Sequence, residues 1–120
     1  MLERLPALAN DDAWLVQRGR FVDTRFLLEA GATQWLVAIH AGRVESVTRG
    51  PFVMPRWTFA LRAPEEAWRR FWSALPPPGF NDLLAMVKSR TLAIEGDQHV
   101  LMANLLYFKD LLALPRGSVR

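Results

Sequence analysis

The chain contains no cysteine, which excludes disulfides, thiolate zinc sites, cysteine nucleophiles and redox chemistry by protein thiols. Histidine occurs only at His40 and His99, and without a His-x-x-x-His spacing the two make no recognisable metal site. The seven glycines are scattered and build neither Gly-x-Gly-x-x-Gly nor a Walker loop, so a dinucleotide or nucleoside triphosphate would lack its phosphate cradle. Long apolar runs are missing as well. Residues 30–42 are the longest apolar stretch free of Asp, Glu, Lys and Arg, and Gln34 and His40 interrupt it, so no segment can span a bilayer as a helix. Residues 1–10 carry Glu3, Arg4 and a proline with no cleavage-site pattern, which makes cytoplasm the default expectation. Lysine is nearly absent: Lys88 and Lys109 stand beside thirteen arginines, and the formal charge of +3 is a mild excess, not a basic patch.

What is present is apolar bulk. Of 120 residues, 51% are apolar and five are tryptophan, a composition that suits one globular domain with a sizeable core. At this mass surface scaling gives roughly 6,600 Å² for the folded chain against about 20,000 Å² extended, so about two thirds of the surface can be buried. Residues 1–19 read as an N-terminal segment with a short helix, with Asn10, Asp11 and Asp12 as caps before Ala13 and Gly19 as a stop. Residues 20–115 read as the domain proper and 116–120 as a frayed tail.

From Arg20 to Arg62 short β-rich runs are punctuated by Gly31, Gly42, Gly50 and Pro51, at the spacing of consecutive hairpin strands. The alternation predicts strands over 24–29, 34–40, 43–49 and 56–62, the last with Trp57, Phe59 and Leu61 on one face. The second is apolar on both faces, as in a central strand covered on both sides. After Ala63 the period becomes helical. Pro64 suits a helix start, Glu65 and Glu66 suit the positive end of its dipole, and Trp68, Phe71, Trp72 and Leu75 form one stripe up to the prolines at 76–78. Phe80, Leu83, Leu84 and Val87 mark a second helix to Arg90, residues 91–94 a fifth strand, and Leu101, Leu105, Phe108 and Leu112 one face of a last helix running from Asp97 to Pro115.

Catalytic groupings do not emerge. His99 beside Asp97 reads as an ordinary helix-start histidine with no nucleophile near it, and Glu65 with Arg69 and Glu66 with Arg70 read as solvated i,i+4 pairs. The rings of Trp57, Phe59, Trp68 and Trp72 share the apolar faces of their elements and are not displayed beside arginines, so a nucleic-acid stacking surface is not expected. An excess of large apolar side chains over polar anchors fits either an apolar container or a filled core, and composition alone favours the filled core.

The order of these features resembles the sterol carrier protein type-two family of lipid-binding domains. The resemblance covers about residues 20–112. It rests on the strand from Trp35 to the Gly42 turn, the segment with Gly50 and Pro55 feeding Trp57, Thr58 and Phe59, the helix from Pro64, and the run Thr91, Leu92, Ala93, Ile94, Glu95, Gly96, Asp97 before an apolar helix. It implies an α+β fold: a five-stranded, largely antiparallel sheet with three to four helices on one face, enclosing an apolar tunnel. It also implies noncatalytic binding or transfer of a sterol, fatty acid or other acyl chain, without a cofactor or metal. Where the family commonly carries an acidic residue near the start of the fourth strand, this chain has Arg56 and Trp57. The expected lining lies between the fourth strand and the last two helices: Trp57, Phe59, Phe80, Leu84, Val87, Leu101, Leu105 and Phe108, with Arg56 or Arg62 to pair a carboxylate head group. The alternative function is an accessory module with a filled core that docks a partner protein or a second copy of itself.

Overall fold

The β-rich half of the chain does form strands in the computed structural model, which describes residues 2–116. β1 (Asp23–Ala30) and β2 (Thr33–His40) make an antiparallel hairpin, and β3 (Arg43–Arg49) continues it through the turn at Ala41 and Gly42. Both turn residues have positive φ, 51° and 80°, the conformation that matches a two-residue turn to the right-handed twist of its strands. The fourth strand departs from the sequence expectation. β4 (Phe59–Ala63) starts three residues later than predicted, and it pairs parallel to β1 instead of forming a hairpin with β3. β5 (Ala93–Gly96) closes the sheet antiparallel to β4, giving the order β3-β2-β1-β4-β5. The reason lies in burial: four of the five β4 residues are buried, and such a strand belongs in the middle of a sheet, not beside the polar edge strand β3.

One face of the sheet carries the core. Phe26, Leu28 and Ala30 of β1, Trp35, Val37 and Ile39 of β2, and Phe59, Leu61 and Ala63 of β4 join one cluster with residues from every α-helix. Leu27 and Ala60 are also buried but point the other way, outside that cluster. The crossover 50–58 returns the chain from the end of β3 to the start of β4. Gly50 N–H donates to Gln34 at one end of this crossover, and Thr58 N–H donates to Arg25 at the other. Trp57 belongs to the crossover, not to the strand, so the predicted alternation of Trp57 with Phe59 and Leu61 fails there.

Among the described residues six helices cover the core face, where three to four were expected. After a 3-10 turn (Leu2–Arg4) come α1 (Leu5–Asn10) and α2 (Ala13–Arg18). Leu2, Leu5, Ala9 and Leu15 sit in the same cluster as the strands, so this N-terminal stretch shares the core. Asp12 caps α2 through Leu15 N–H, whereas Asn10 does not cap: its side chain donates to Val44 O and accepts from Val44 N–H at 3.0 and 2.9 Å, binding the edge strand β3. α3 (Glu65–Phe71) stops four residues short of Leu75, which is 90% exposed, and Arg116 donates to the Phe71 carbonyl at its end. α4 (Leu83–Lys88) is capped by Asp82 through Ala85 N–H. The last helix is two, α5 (His99–Ala103) and α6 (Leu105–Ala113), because Asn104 leaves the helical region and turns its side chain back onto Val100 O. Of the tail predicted over 116–120, Arg116 is not frayed but donates to Phe71 O and Asn81 O, and 117–120 lie outside the described residues.

Tyr107 on α6 ties three elements together. Its hydroxyl donates to Gly42 O at 2.7 Å, and its ring lies so close over Gly19, after α2, that a Cβ there would stand 2.2 Å from it. Burial pushes the phenol up to about 12 from its ordinary value of 10.0. A folded pKa above the unfolded one means that stability is full below pH 10 and is lost as pH rises toward 12, with a slope of up to about 1.4 kcal/mol per pH unit. Denaturant midpoints measured from pH 9 to 12 should show this fall in the native chain and a flatter profile in Tyr107→Phe. An identical slope in both would remove Tyr107 as its source.

Candidate functional site: a tryptophan cleft at the end of the sheet

α3 lays its stripe over the β1–β2 end of the sheet because two of its tryptophans are tethered. Trp68 Nε1 donates to Glu29 O and Trp72 Nε1 to Leu112 O, both at 2.8 Å, so one indole holds α3 to β1 and the other holds it to α6. The two rings stack at 5.3 Å. Beside them Trp35 rises from β2, and the gap between these rings, Ala30, Thr33 and the 3-10 turn is a cleft of about 210 Å³. Its rim carries Glu3, Arg49, Glu65 and Arg69. Glu65 and Arg69 form the expected i,i+4 pair at 3.2 Å, as Glu66 and Arg70 do at 3.3 Å. Arg49 lies with its guanidinium 5.5 Å from the Trp35 ring centroid. A second hollow of about 320 Å³ adjoins the first and shares Thr33 and Arg49 with it.

Four residues of the cleft wall, Ala30, Trp35, Trp68 and Trp72, belong to the core cluster on the helical face of the sheet. Inward from Ala30 the same face continues through Leu28 to Phe26, whose ring stacks on Phe59 at 5.1 Å while Phe108 meets both edge-on at 5.9 and 5.5 Å. At this point the rings are in contact and the layer is filled. Beyond it Thr24 begins the same face with a buried hydroxyl that finds no partner among the described residues.

Of the residues expected to line a cavity, Phe59, Leu101 and Phe108 come together in the core, and Phe80 packs against it under the Arg70 guanidinium. Leu105 is half-buried, while Leu84 and Val87 turn outward, 38% and 37% exposed. Trp57 is on the opposite face of the sheet, its ring 5.8 Å from the Arg62 guanidinium. Arg62 itself is held by Glu29 and Glu95 at 2.8 and 2.5 Å, so its fork is occupied. Arg56 is exposed beside Arg25, Trp57 and Thr58, away from the cleft. His40 contacts Asp23 and His99 takes its place after Asp97 by a backbone hydrogen bond, both at the surface. Among the described residues no three His, Asp or Glu side chains are grouped to hold a metal, and no helix is long and apolar enough to cross a membrane.

A small α+β domain with its helices on one face of a five-stranded mixed sheet is a known architecture, and solved structures match it over nearly the whole chain. Sterol carrier protein 2 superimposes with a TM-score of 0.76 at 11% identity, covering 93% of this chain and 90% of its own. A conserved hypothetical protein of Thermus thermophilus, described as a possible sterol carrier protein, gives 0.72 at 9% identity over 98% of this chain and 84% of that one. The ubiquinone synthesis protein UbiJ-SCP2 gives 0.57 at 15% identity, over 93% and 88%. No family model and no curated protein sequence matches the chain. The fold is therefore that of sterol carrier protein 2, reached by a sequence that shares little with it.

Proposed function

We propose that the chain binds an apolar ligand, a lipid or acyl chain, without catalysis, in the layer between sheet and helices, and that the tryptophan cleft is its mouth. The observation that carries this is the convergence of Trp35, Trp68 and Trp72 around an open hollow at the end of that layer, in a fold shared with a sterol carrier. An apolar hollow of about 150 Å³ is enough for a benzene ring, so a cleft of about 210 Å³ takes the first part of a chain. Phe59, Leu101, Leu105 and Phe108 then supply the inner wall, and the aromatic contact among Phe26, Phe59 and Phe108 has to loosen for a long chain to pass.

The driving force is adequate. Moving a sixteen-carbon chain out of water yields roughly 12 kcal/mol gross at about 0.8 kcal/mol per methylene. Association entropy and side-chain ordering remove a large share, and micromolar binding remains reachable. Displacement of a fluorescent fatty acid, together with native mass spectrometry of the purified protein, tests the proposal. Binding or copurification of an acyl or sterol ligand is expected. If nothing binds below about 100 µM, equivalent to about 5.5 kcal/mol, the carrier reading is wrong. The filled centre at Phe26, Phe59 and Phe108 favours the second reading, an accessory module that docks a partner, and that is what a ligand-free result would leave.

A further inference from the structure

We propose that Arg49 is the head-group site of this cleft and that the ligand is an apolar acid, its carboxylate on the Arg49 fork and its chain among the tryptophans. This rests on the proposed function and specifies it. Four charged side chains border the cleft, and two of them, Arg49 and Arg69, are cations. Arg69 is paired with Glu65, while Arg49 has no carboxylate of the described residues in ion-pair contact within 4.0 Å and interacts with Glu3 on the same rim only through space. The guanidinium carbon lies 5.5 Å from the Trp35 ring centroid, and a guanidinium placed beside an aromatic surface in this way can meet a carboxylate through two parallel N–H bonds.

Position supports the same assignment. Arg49 stands where the two hollows meet: the one of about 210 Å³ offers aromatic walls for a chain, and the one of about 320 Å³, bordered by Thr33, Gln34, Gly50 and Pro51, leaves room for a hydrated head. No charged side chain is buried among the described residues, so a charged head could not be carried into the core without leaving an uncompensated ion. The acid end therefore stays at the mouth, where Arg49 is, and the chain end enters.

Isothermal titration of the full chain with dodecanoate and with 1-dodecanol separates head from tail. Native protein should bind dodecanoate about tenfold more tightly than the alcohol, since a hydrogen bond to a charged group contributes more than a neutral one. Arg49→Gln should lose that tenfold preference and keep alcohol affinity within about twofold; Arg49→Lys should recover part of it, having the charge without the fork. Unchanged circular dichroism of both variants shows that the fold is retained. Equal affinities of the native chain for acid and alcohol would overturn the role of Arg49 while leaving apolar binding intact, and so would equal loss of both ligands in Arg49→Gln. If neither ligand binds the native chain, the carrier reading falls and this assignment goes with it.

Discussion

Replacing Gly42 by alanine is expected to destabilise the fold by about 3 kcal/mol or more, combining a left-handed backbone cost of about 1–2 kcal/mol with overpacking of about 1–3 kcal/mol. Gly42 sits at φ 80°, and a Cβ there would stand 2.6 Å from the Val16 carbonyl oxygen and 2.7 Å from the Gly19 carbonyl carbon. Both obstacles are backbone, so no rotamer change relieves them. The Gly42 carbonyl also receives the Tyr107 hydroxyl, so any shift of the turn breaks the tie to α6. At about 4 °C per kcal/mol for a domain near this size, thermal unfolding should move down by about 12 °C. Gly19→Ala tests the same junction from the other side, because its obstacle is the Tyr107 ring. Its cost should shrink in a Tyr107→Leu background, whereas that of Gly42→Ala should largely persist. A fall of less than about 1 kcal/mol in Gly42→Ala would show that this corner is not packed as described.

Phe108→Ala should cost about 3–5 kcal/mol, the range for truncating a large aromatic in a packed core. Phe108 is fully buried and contacts Phe26, Phe59 and Tyr107 edge-on, so its loss leaves a hollow that rigid strand neighbours cannot fill. Because the hollow lies on the path proposed for the chain end of the ligand, the variant is also expected to be stabilised by dodecanoate more than the native protein is. Saturation at a hundred times the dissociation constant would return about 2.7 kcal/mol. Chemical denaturation with and without dodecanoate measures both effects. A loss under about 1.5 kcal/mol would mean the ring is not fixed in the core, and a destabilised variant with no extra response to dodecanoate would place the ligand elsewhere.

The elements were legible where local pattern and tertiary demand agree. The hairpin signals around Gly31 and Gly42 and the stripe of Trp68, Phe71 and Trp72 lead directly to β1, β2, β3 and α3. They fail at Trp57, whose hydrophobic side chain fits the alternation of the next strand but belongs to a crossover arriving from the other face. They fail again at Asn104, where a continuous apolar stripe conceals a break made by a side chain bonding to its own helix. Burial of the residues expected to line a cavity was legible only in part. Phe59, Leu101 and Phe108 follow from period alone, while Leu84 and Val87 point outward because α4 is a short helix that buries only Leu83 and Met86.

Composition alone sets the chemistry available: no thiol, two histidines, arginine as nearly the whole cationic supply, and enough aromatic mass for one core. Which arginine meets that aromatic surface was decided only by the tertiary structure. In an unbroken hairpin about the Gly42 turn, Thr48 would face Trp35 and Arg49 would point to the outer face. The irregularity beside Ala38 and Ile39 inserts one residue into β3 and pairs Arg49 with Trp35 instead. Because side chains alternate faces along a strand, a single extra residue carries the guanidinium from one side of the sheet to the other, and no local pattern in the sequence announces it.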